Sequence, residues 1–449
     1  MLLEILNGIN FNIFVMKRIY ALALIISLSF PLSAKDIDLK KFGAKADGKT
    51  KITKVLQKAI DKVSEAGGGR VILSGGTFLT GPVELKSGVE LYIDADALML
   101  GSPDLEDYPD REETRHFETD SLPRWRNIAL IYADEAENIA ITGRGKIDCS
   151  GDVFVAPQKD TNWRRWQYER IVPYKESVPR AVFFAGCKDV IVKDITMVNQ
   201  PSGWSYWIHD CDRVNFDGCK ILADVRYPNN DGIHINSSRD VTVSNCIMEC
   251  GDDSIVIRAN NRSLKEKKVC ERITITNCVL RSWSSGVRLG WTNDGVIRNC
   301  TFSNLVIWDT SNAISCFLPN KSKIAKTNDF GDEATLVENI TFSNIQMYQI
   351  YGSAMYFHVG KESDTLFEGI RNITFNNINC TCLRMPHFCG REGGAIENIT
   401  FNNCVFEKCK EADFPVNRKR HGAVNKPNPV DPIENVVNLN YNDTRFIYR

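Results

Sequence analysis

The sequence predicts an all-β fold, a single right-handed parallel β-helix (a solenoid) closed at its N-terminal end by one capping helix. Three observations lead there. A seven-residue phrase recurs along the chain: Asn or Asp, then Val or Ile, any residue, an apolar residue, any residue, Asn, Asp or Gly, and finally Cys, Ile or Val. Its copies are spaced like solenoid coils, with Val190, Val214, Val241 and Ile273 lying 24, 27 and 32 residues apart. Hairpin turn dipeptides, which a sandwich or jelly roll needs between its strands, are scarce.

Residues 1–34 read as a removable secretory signal. Met16-Lys17-Arg18 is basic, Ile19 to Leu32 is almost wholly apolar, and Ser33-Ala34 meets the polar Lys35-Asp36. The apolar run is 14 residues, shorter than the roughly 20 needed to span a bilayer as a helix. The competing reading is an N-terminal anchor, because Leu32 is a poor residue three before the cut. Residues 35–449 are then expected to form a single β-helix domain. Ile52, Val55, Leu56, Ala59, Ile60 and Val63 mark an amphipathic helix, stopped by Gly67-Gly68-Gly69 and expected to cap the first coil.

The phrase runs from Asn138-Ile-Ala-Ile, Asp189-Val-Ile-Val, Arg213-Val-Asn-Phe and Asp240-Val-Thr-Val to Arg272-Ile-Thr-Ile, Asn339-Ile-Thr-Phe, Asn372-Ile-Thr-Phe and Asn398-Ile-Thr-Phe. A looser copy is Gly295-Val-Ile-Arg-Asn-Cys. Period-two alternation makes each copy a short strand with one buried face. The Asn residues tolerate left-handed backbone and can bond the Asn one coil away. The stretch Asp152 to Arg180 breaks the repeat, and its Trp163-Arg164-Arg165-Trp166 is expected either to wall a site or to pin the loop down. Beyond about residue 410 the chain is polar and carries Pro415, Pro427, Pro429 and Pro432, which suggests an extended tail on the outside.

Composition narrows the function. With 55 Lys+Arg against 56 Asp+Glu the chain has no bulk charge to hold a polyanion, so nucleic acid is not an expected partner. At 43% hydrophobic it can bury a large core, and no segment after the signal is long and apolar enough to span a membrane. The 15 cysteines are odd in number, and Cys246, Cys278, Cys300 and Cys404 each follow an Asn at the same point of the phrase. They are expected to be buried thiols stacked between coils, and neither Cys380-Thr-Cys382 nor Cys404…Cys409 has zinc-ligand spacing. No metal or cofactor is expected.

Phe42-Gly-Ala-Lys-Ala-Asp-Gly-Lys-Thr50, Gly75-Gly-Thr-Phe-Leu-Thr-Gly, Gly143-Arg-Gly-Lys-Ile-Asp148, Trp204…His209, Asn229-Asn-Asp231-Gly and Gly251-Asp252-Asp253 occur in that order. Together they resemble glycoside hydrolase family 28, the polygalacturonase family, over roughly residues 40 to 410. The resemblance implies an exported enzyme acting on pectic poly- or oligosaccharide, periplasmic or secreted, and expected as a monomer.

The residue types suit that chemistry. Inverting hydrolysis needs one carboxylic acid to protonate the leaving oxygen and a carboxylate base to activate water, roughly 6.5–9.5 Å apart. Asp231 and Asp252 are 21 residues apart, close to one coil, and so belong on neighbouring rungs. Asp253 adds a third carboxyl, and crowding of like charges favours one keeping its proton. By resemblance, Asp252 is the general acid, with Asp231 and Asp253 holding and deprotonating the water. Read alone, each motif is equally an ordinary turn. Asn229, Trp204 and His209 follow as substrate-binding candidates, with a structural, hydrogen-bonded role open for His209.

Two departures qualify the resemblance. Where the family has Gly-His-Gly this chain has Ser284-Ser285-Gly286, and where it has Arg-Ile-Lys this chain has Ser315-Cys316-Phe317. Arg258 and Arg288 are the candidate replacements for the lost carboxylate clamp, since guanidinium suits bidentate carboxylate binding. A rhamnogalacturonan-type or other branched pectin is therefore expected over plain polygalacturonate. The alternatives are a β-helix polysaccharide lyase, for which the three Asp would ligate calcium, and a non-catalytic glycan-binding homologue.

Overall fold

In the computed structural model, which describes residues 35–108, 128–159, 166–172, 178–325, 330–392, 396–410 and 433–448, the phrases are parallel strands stacked in register. Val190 pairs with Val214, Val214 with Val241 and Val241 with Ile273. The column continues through Cys300, Ile340, Ile373, Ile399 and Leu439. Two positions on, Phe302, Phe342, Phe375, Phe401 and Tyr441 stack with ring centroids 4.6 to 5.2 Å apart. The recurring Ile-Thr-Phe is thus the core of one coil laid on the core of the next, and its Thr points outward.

The phrase also sets the corners. Its first residue is left-handed in copy after copy (Asn138, Asp189, Arg213, Asp240, Arg272, Asn339, Asn372 and Asn398, φ 55 to 58°). Its sixth is left-handed as well at Asn245, Asn277, Asn344 and Asn377. Asn visits this region at little cost and its amide bonds the next coil. One ladder links Asn277, Asn304, Asn344, Asn377 and Asn403 with bonds of 2.9 to 3.3 Å. Another links Asn299, Asn339, Asn372, Asn398 and Asn438 at 3.0 to 3.2 Å. Arg213 and Arg272 hold the same conformation by forking onto Asp189 and Asp240 one coil back.

The strands form a 22-stranded sheet, which carries the phrases, an 11-stranded sheet and a small hairpin. The 11-stranded sheet positions the site. Its members are β1 (Val83–Glu84), β2 (Ala129–Asp134), β3 (Arg180–Ala185), β4 (Tyr206–His209), β5 (Ile233–Asn236), β6 (Ile255–Arg258), β7 (Ser285–Leu289), β8 (Asn312–Leu318), β9 (Met355–Val359), β10 (His387–Cys389) and β11 (Ile433–Glu434). They stack in chain order, one per coil. The expected capping helix is α1, Thr53–Glu65, which buries Leu56, Ala59, Ile60 and Val63 on the first coil.

Two expectations need correction. The looser copy is out of phase: Cys300, not Val296, stacks on Ile273, and Asn304 sits at the corner assigned to Asn299. Cys300 is therefore a strand residue, while Cys246 and Cys278 are corner residues. The end of the chain is not a tail on the outside. Val436–Asn442 and Arg445–Tyr448 pair in parallel with Ile396–Asn402 and Val405–Lys408 and so add one more coil. Pro415, Pro427, Pro429 and Pro432 lie outside the described residues, as does the expected signal at 1–34.

All 15 cysteines are free, and all but the half-buried Cys409 are buried. The hydrogen bond with Cys219, together with burial, pushes the Cys246 thiol up to about 12 against an opposing contribution from Cys278. Such thiols stay protonated and inert. A thiol reagent should therefore find almost no reactive groups in the native protein and 15 per chain after denaturation without reductant. Near-zero reaction after denaturation would mean that the cysteines are cross-linked.

Candidate active site

The outward face of the 11-stranded sheet follows from alternation. On β5, Ile233 and Ile235 point into the core, so His234 and Asn236 point out. On β7 to β10 the outward residues are Arg288, Ser315, Phe317, Tyr356, His358, His387 and Cys389.

The three carboxyls precede β5 and β6. Tyr206 pairs with Ile233, Ile233 with Ile255 and Ile255 with Val287, so two residues earlier Trp204, Asp231, Asp253 and Ser285 share one column. The backbone bonds Ser205 N–H to Asp231 O at 2.9 Å and Gly232 N–H to Asp253 O at 3.0 Å hold that register. Asp231 therefore faces Asp253 directly across one rung, with Asp252 beside it. The expectation of neighbouring rungs holds, with Asp253 and not Asp252 as the residue in register.

The motif glycines serve close packing. A Cβ on Gly232 would sit 2.3 Å from Ser254 O, and one on Gly251 would sit 2.1 Å from Tyr227 O. Both stretches are thus fixed between coils and are not free turns.

Each carboxyl has a distinct setting, and all three are buried. Asp253 accepts from Arg288 Nη1 and from Ser285 N–H, both at 2.9 Å, partners that favour the ionised form. Asp252 accepts from Asn229 Nδ2 at 3.1 Å, and Asn229 in turn accepts from Arg170 Nη2 at 3.0 Å. Asp231 lies 3.8 Å from His234 Nδ1, and that imidazole packs on Trp204 with centroids 3.9 Å apart. Beneath them the Cys250 thiol is pushed far up by burial and then by the charge of Asp231.

Several expected roles change. Arg258 is engaged within the protein: its guanidinium forks onto Asp294 at 2.7 and 2.8 Å, with side chains 5% and 0% exposed. His209 is fully buried with Nε2 3.2 Å from Asn260 O, so the structural alternative is the one realised. The two are engaged by different segments, Arg258 by Asp294 after β7 and His209 by Asn260 after β6. The segment after β6 folds back over the outer face, where Asn260 also bonds Asn236, and Leu264 packs on a second apolar cluster of Tyr132, Phe183, Trp204 and Trp207. Trp204 belongs to this wall and packs on His234 at the edge of the site.

Arg288 does stand at the site, on Asp253 and 4.0 Å above the Trp291 ring. The insert reaches the site too. Trp166 Nε1 donates to Gly251 O at 2.6 Å, which pins the loop, while Arg170 holds Asn229. Trp163, Arg164 and Arg165 lie outside the described residues. His234 and Arg170 were missed from sequence. Parity on β5 could have placed His234 outward beside Asp231, whereas nothing local marks Arg170.

Both departures meet in space, where Ser315 Oγ donates to Ser285 Oγ at 2.8 Å. Beyond them lies an aromatic surface, with Phe317 5.9 Å from Trp291 and 5.7 Å from Tyr356. Tyr356 stacks on His387 at 4.5 Å. Burial holds the His358 imidazole below its ordinary range, and burial together with His358 pushes His387 down to about 4.

A parallel β-helix carrying three carboxyls on adjoining rungs of one outward face defines the class of β-helical glycoside hydrolases. The sequence profile described as glycosyl hydrolases family 28 matches residues 114–413. The chain belongs to that family and is a glycoside hydrolase acting on O-glycosyl bonds. It is 27% identical over 231 residues to a probable polygalacturonase of Vitis vinifera, covering 50% of this chain but only 45% of that relative. It is 25% identical to an endo-polygalacturonase of Pectobacterium carotovorum subsp. carotovorum, covering 74% and 79%. The family 28 exopolygalacturonase of Yersinia enterocolitica has the same fold, at TM-score 0.71 and 19% identity, covering 93% and 76%. Among the described residues no helix is long and apolar enough to cross a membrane.

The Arg258–Asp294 pair yields a stability prediction. Asp294→Ala should lower the unfolding free energy by about 3–5 kcal/mol in denaturant titrations, because it strips a buried guanidinium of its carboxylate. Replacing the pair together by apolar residues of similar volume should restore most of that loss. Equal stability of the wild type and the Asp294→Ala protein would show the pair to be unimportant.

Proposed function

We propose that this chain hydrolyses a pectic poly- or oligosaccharide with inversion, and that a rhamnogalacturonan-type or other branched chain is a better substrate than plain polygalacturonate. The observation that carries the catalytic part is the column in which Asp231 faces Asp253, with Asp252 beside it. Asp252 donates its proton to the glycosidic oxygen as the bond to the anomeric carbon breaks. Asp231 and Asp253 hold a water on the opposite side of the sugar and take its proton as the new C–O bond forms. Arg288 and the Ser285 N–H hold the Asp253 carboxyl in place for that role. Asn229 orients Asp252 and ties it through Arg170 to the insert.

A lyase reading is disfavoured. The family match is to hydrolases, and a guanidinium on Asp253 opposes calcium at that carboxylate. A non-catalytic glycan binder would have no use for three carboxyls set on neighbouring rungs. We further propose that residues 1–34 direct export, that the protein is periplasmic or secreted, and that it acts as a monomer. Buried thiols suit an oxidising compartment, since they offer no thiolate to an oxidant.

Specificity rests on the departures. The Ser285–Ser315 hydrogen bond and the Phe317 ring occupy ground where the family resemblance leads one to expect cations. An apolar face favours a deoxy or less oxidised sugar over a uronate.

Two experiments test this reading. Asp252→Asn should lower turnover by about 10²–10⁴-fold with unchanged melting temperature and oligosaccharide binding. Near-wild-type turnover would remove Asp252 from the acid role. Initial rates at equal concentration should be higher on rhamnogalacturonan oligosaccharides than on polygalacturonate. Losing two charge-assisted hydrogen bonds to a carboxylate, about 1.5–3 kcal/mol each, costs the homopolymer at least about a hundredfold. Equal or faster cleavage of the homopolymer would overturn the assignment.

A further inference from the structure

We propose that His358, His387 and Cys389, at the downstream end of the same outward face, form a binding site for a divalent metal ion of the zinc class. The three residues come from two successive coils. His358 on β9 pairs in register with Cys389 on β10, Cys389 pairs with Glu434 on β11, and His387 lies on the same face two residues before Cys389. Their ligand atoms all lie within 4.8 Å of one another. This site does not depend on the catalytic reading above.

The spacing of the two imidazoles is that of two ligands on one metal ion. His358 Nδ1 and His387 Nε2 face each other at 3.2 Å. Tetrahedral zinc, with bonds of about 2.0–2.1 Å to nitrogen and about 2.3 Å to sulfur, sets two nitrogens about 3.3 Å apart and nitrogen from sulfur about 3.6 Å apart. A proton between the rings uses one lone pair as acceptor, whereas a cation uses both. The rings are already oriented: Tyr356 stacks on His387 at 4.5 Å and Phe317 meets His358 edge-on at 5.8 Å. Fixed imidazole orientation is what outer groups supply at metal centres.

Cys389 is the odd cysteine of the chain. The other thirteen buried thiols belong to the apolar core, while Cys389 lies outside it with Glu434 Oε2 3.6 Å from its sulfur. Binding forms one metal–sulfur and two metal–nitrogen bonds and releases the Cys389 thiol proton to solvent. Glu434 offers a further oxygen ligand. Two imidazoles, a thiolate and a carboxylate are a borderline-soft set that suits zinc over calcium or magnesium.

The test uses the whole protein, stripped with chelator and titrated with Zn²⁺ by calorimetry and with Co²⁺ by absorption. One saturable Zn²⁺ site per chain is expected, and the Co²⁺ form should show a thiolate-to-metal charge-transfer band in the near ultraviolet. Cys389→Ser should abolish that band, and His358→Gln and His387→Gln should each weaken Zn²⁺ binding by at least about tenfold. Melting curves establish that each variant is folded, and any one folded variant suffices for the comparison. Absence of saturable binding to the wild type overturns the proposal. So does a folded Cys389→Ser protein that keeps the band, or folded His variants that keep the affinity.

Discussion

Everything in this molecule depends on parallel coils lying on one another in register, at the roughly 4.8 Å spacing of hydrogen-bonded strands. Register demands that each coil turn its corners in the same way, and the corners are left-handed residues. A left-handed L-residue costs roughly 1–2 kcal/mol, less for Asn, whose side chain here also bonds the coil next door. The Asn ladders thus repay the strain of the corners from which they arise. In such a solenoid stability is close to a sum over neighbouring coils, so a column of like residues adds the same favourable contact at every step.

The same constraint makes the site. Columns bring together residues separated by whatever length a coil has, so Asp231 meets Asp253 and Ser285 through backbone pairing alone. Side chains added by long loops then differentiate positions that the repeat leaves equivalent. Arg170 arrives from the insert to hold Asn229, the segment after β6 closes over His209, and Asp294 after β7 takes Arg258.

Legibility in the sequence follows that division. The phrase was readable because period-two alternation and corner Asn are local, and so were the fold, the coil spacing and the three carboxyls in their short motifs. Where coil lengths vary, reading failed. The copy at Cys300 was set out of phase because its second corner, Asn304, lies past the stretch used to recognise it. The last coil was hidden because a Pro-bearing stretch separates Lys408 from Val436. The engagement of Arg258 was not legible because Asp294, its partner, is 36 residues away with no periodic relation to it. The His358, His387 and Cys389 cluster follows no ligand-spacing rule, since coil length sets the separation of its members.

Charge at the site ties specificity to catalysis. Among the described residues at the site, Asp231, Asp252 and Asp253 stand with two guanidiniums, Arg288 on Asp253 and Arg170 on Asn229, and each guanidinium already serves a partner within the protein. With every carboxyl ionised the set carries 2 − 3 = −1, so a uronate entering it brings like charge to like. A proton on one carboxyl removes that excess, and a general acid must carry one. In a relative with a basic clamp the substrate's own carboxylate is neutralised separately, and the two requirements do not interact. Here the Ser285–Ser315 pair and Phe317 supply no such charge. On the proposed reading, the sugar held against them is therefore better uncharged, and the proton held by the acid is free to serve the leaving oxygen without also offsetting a substrate anion.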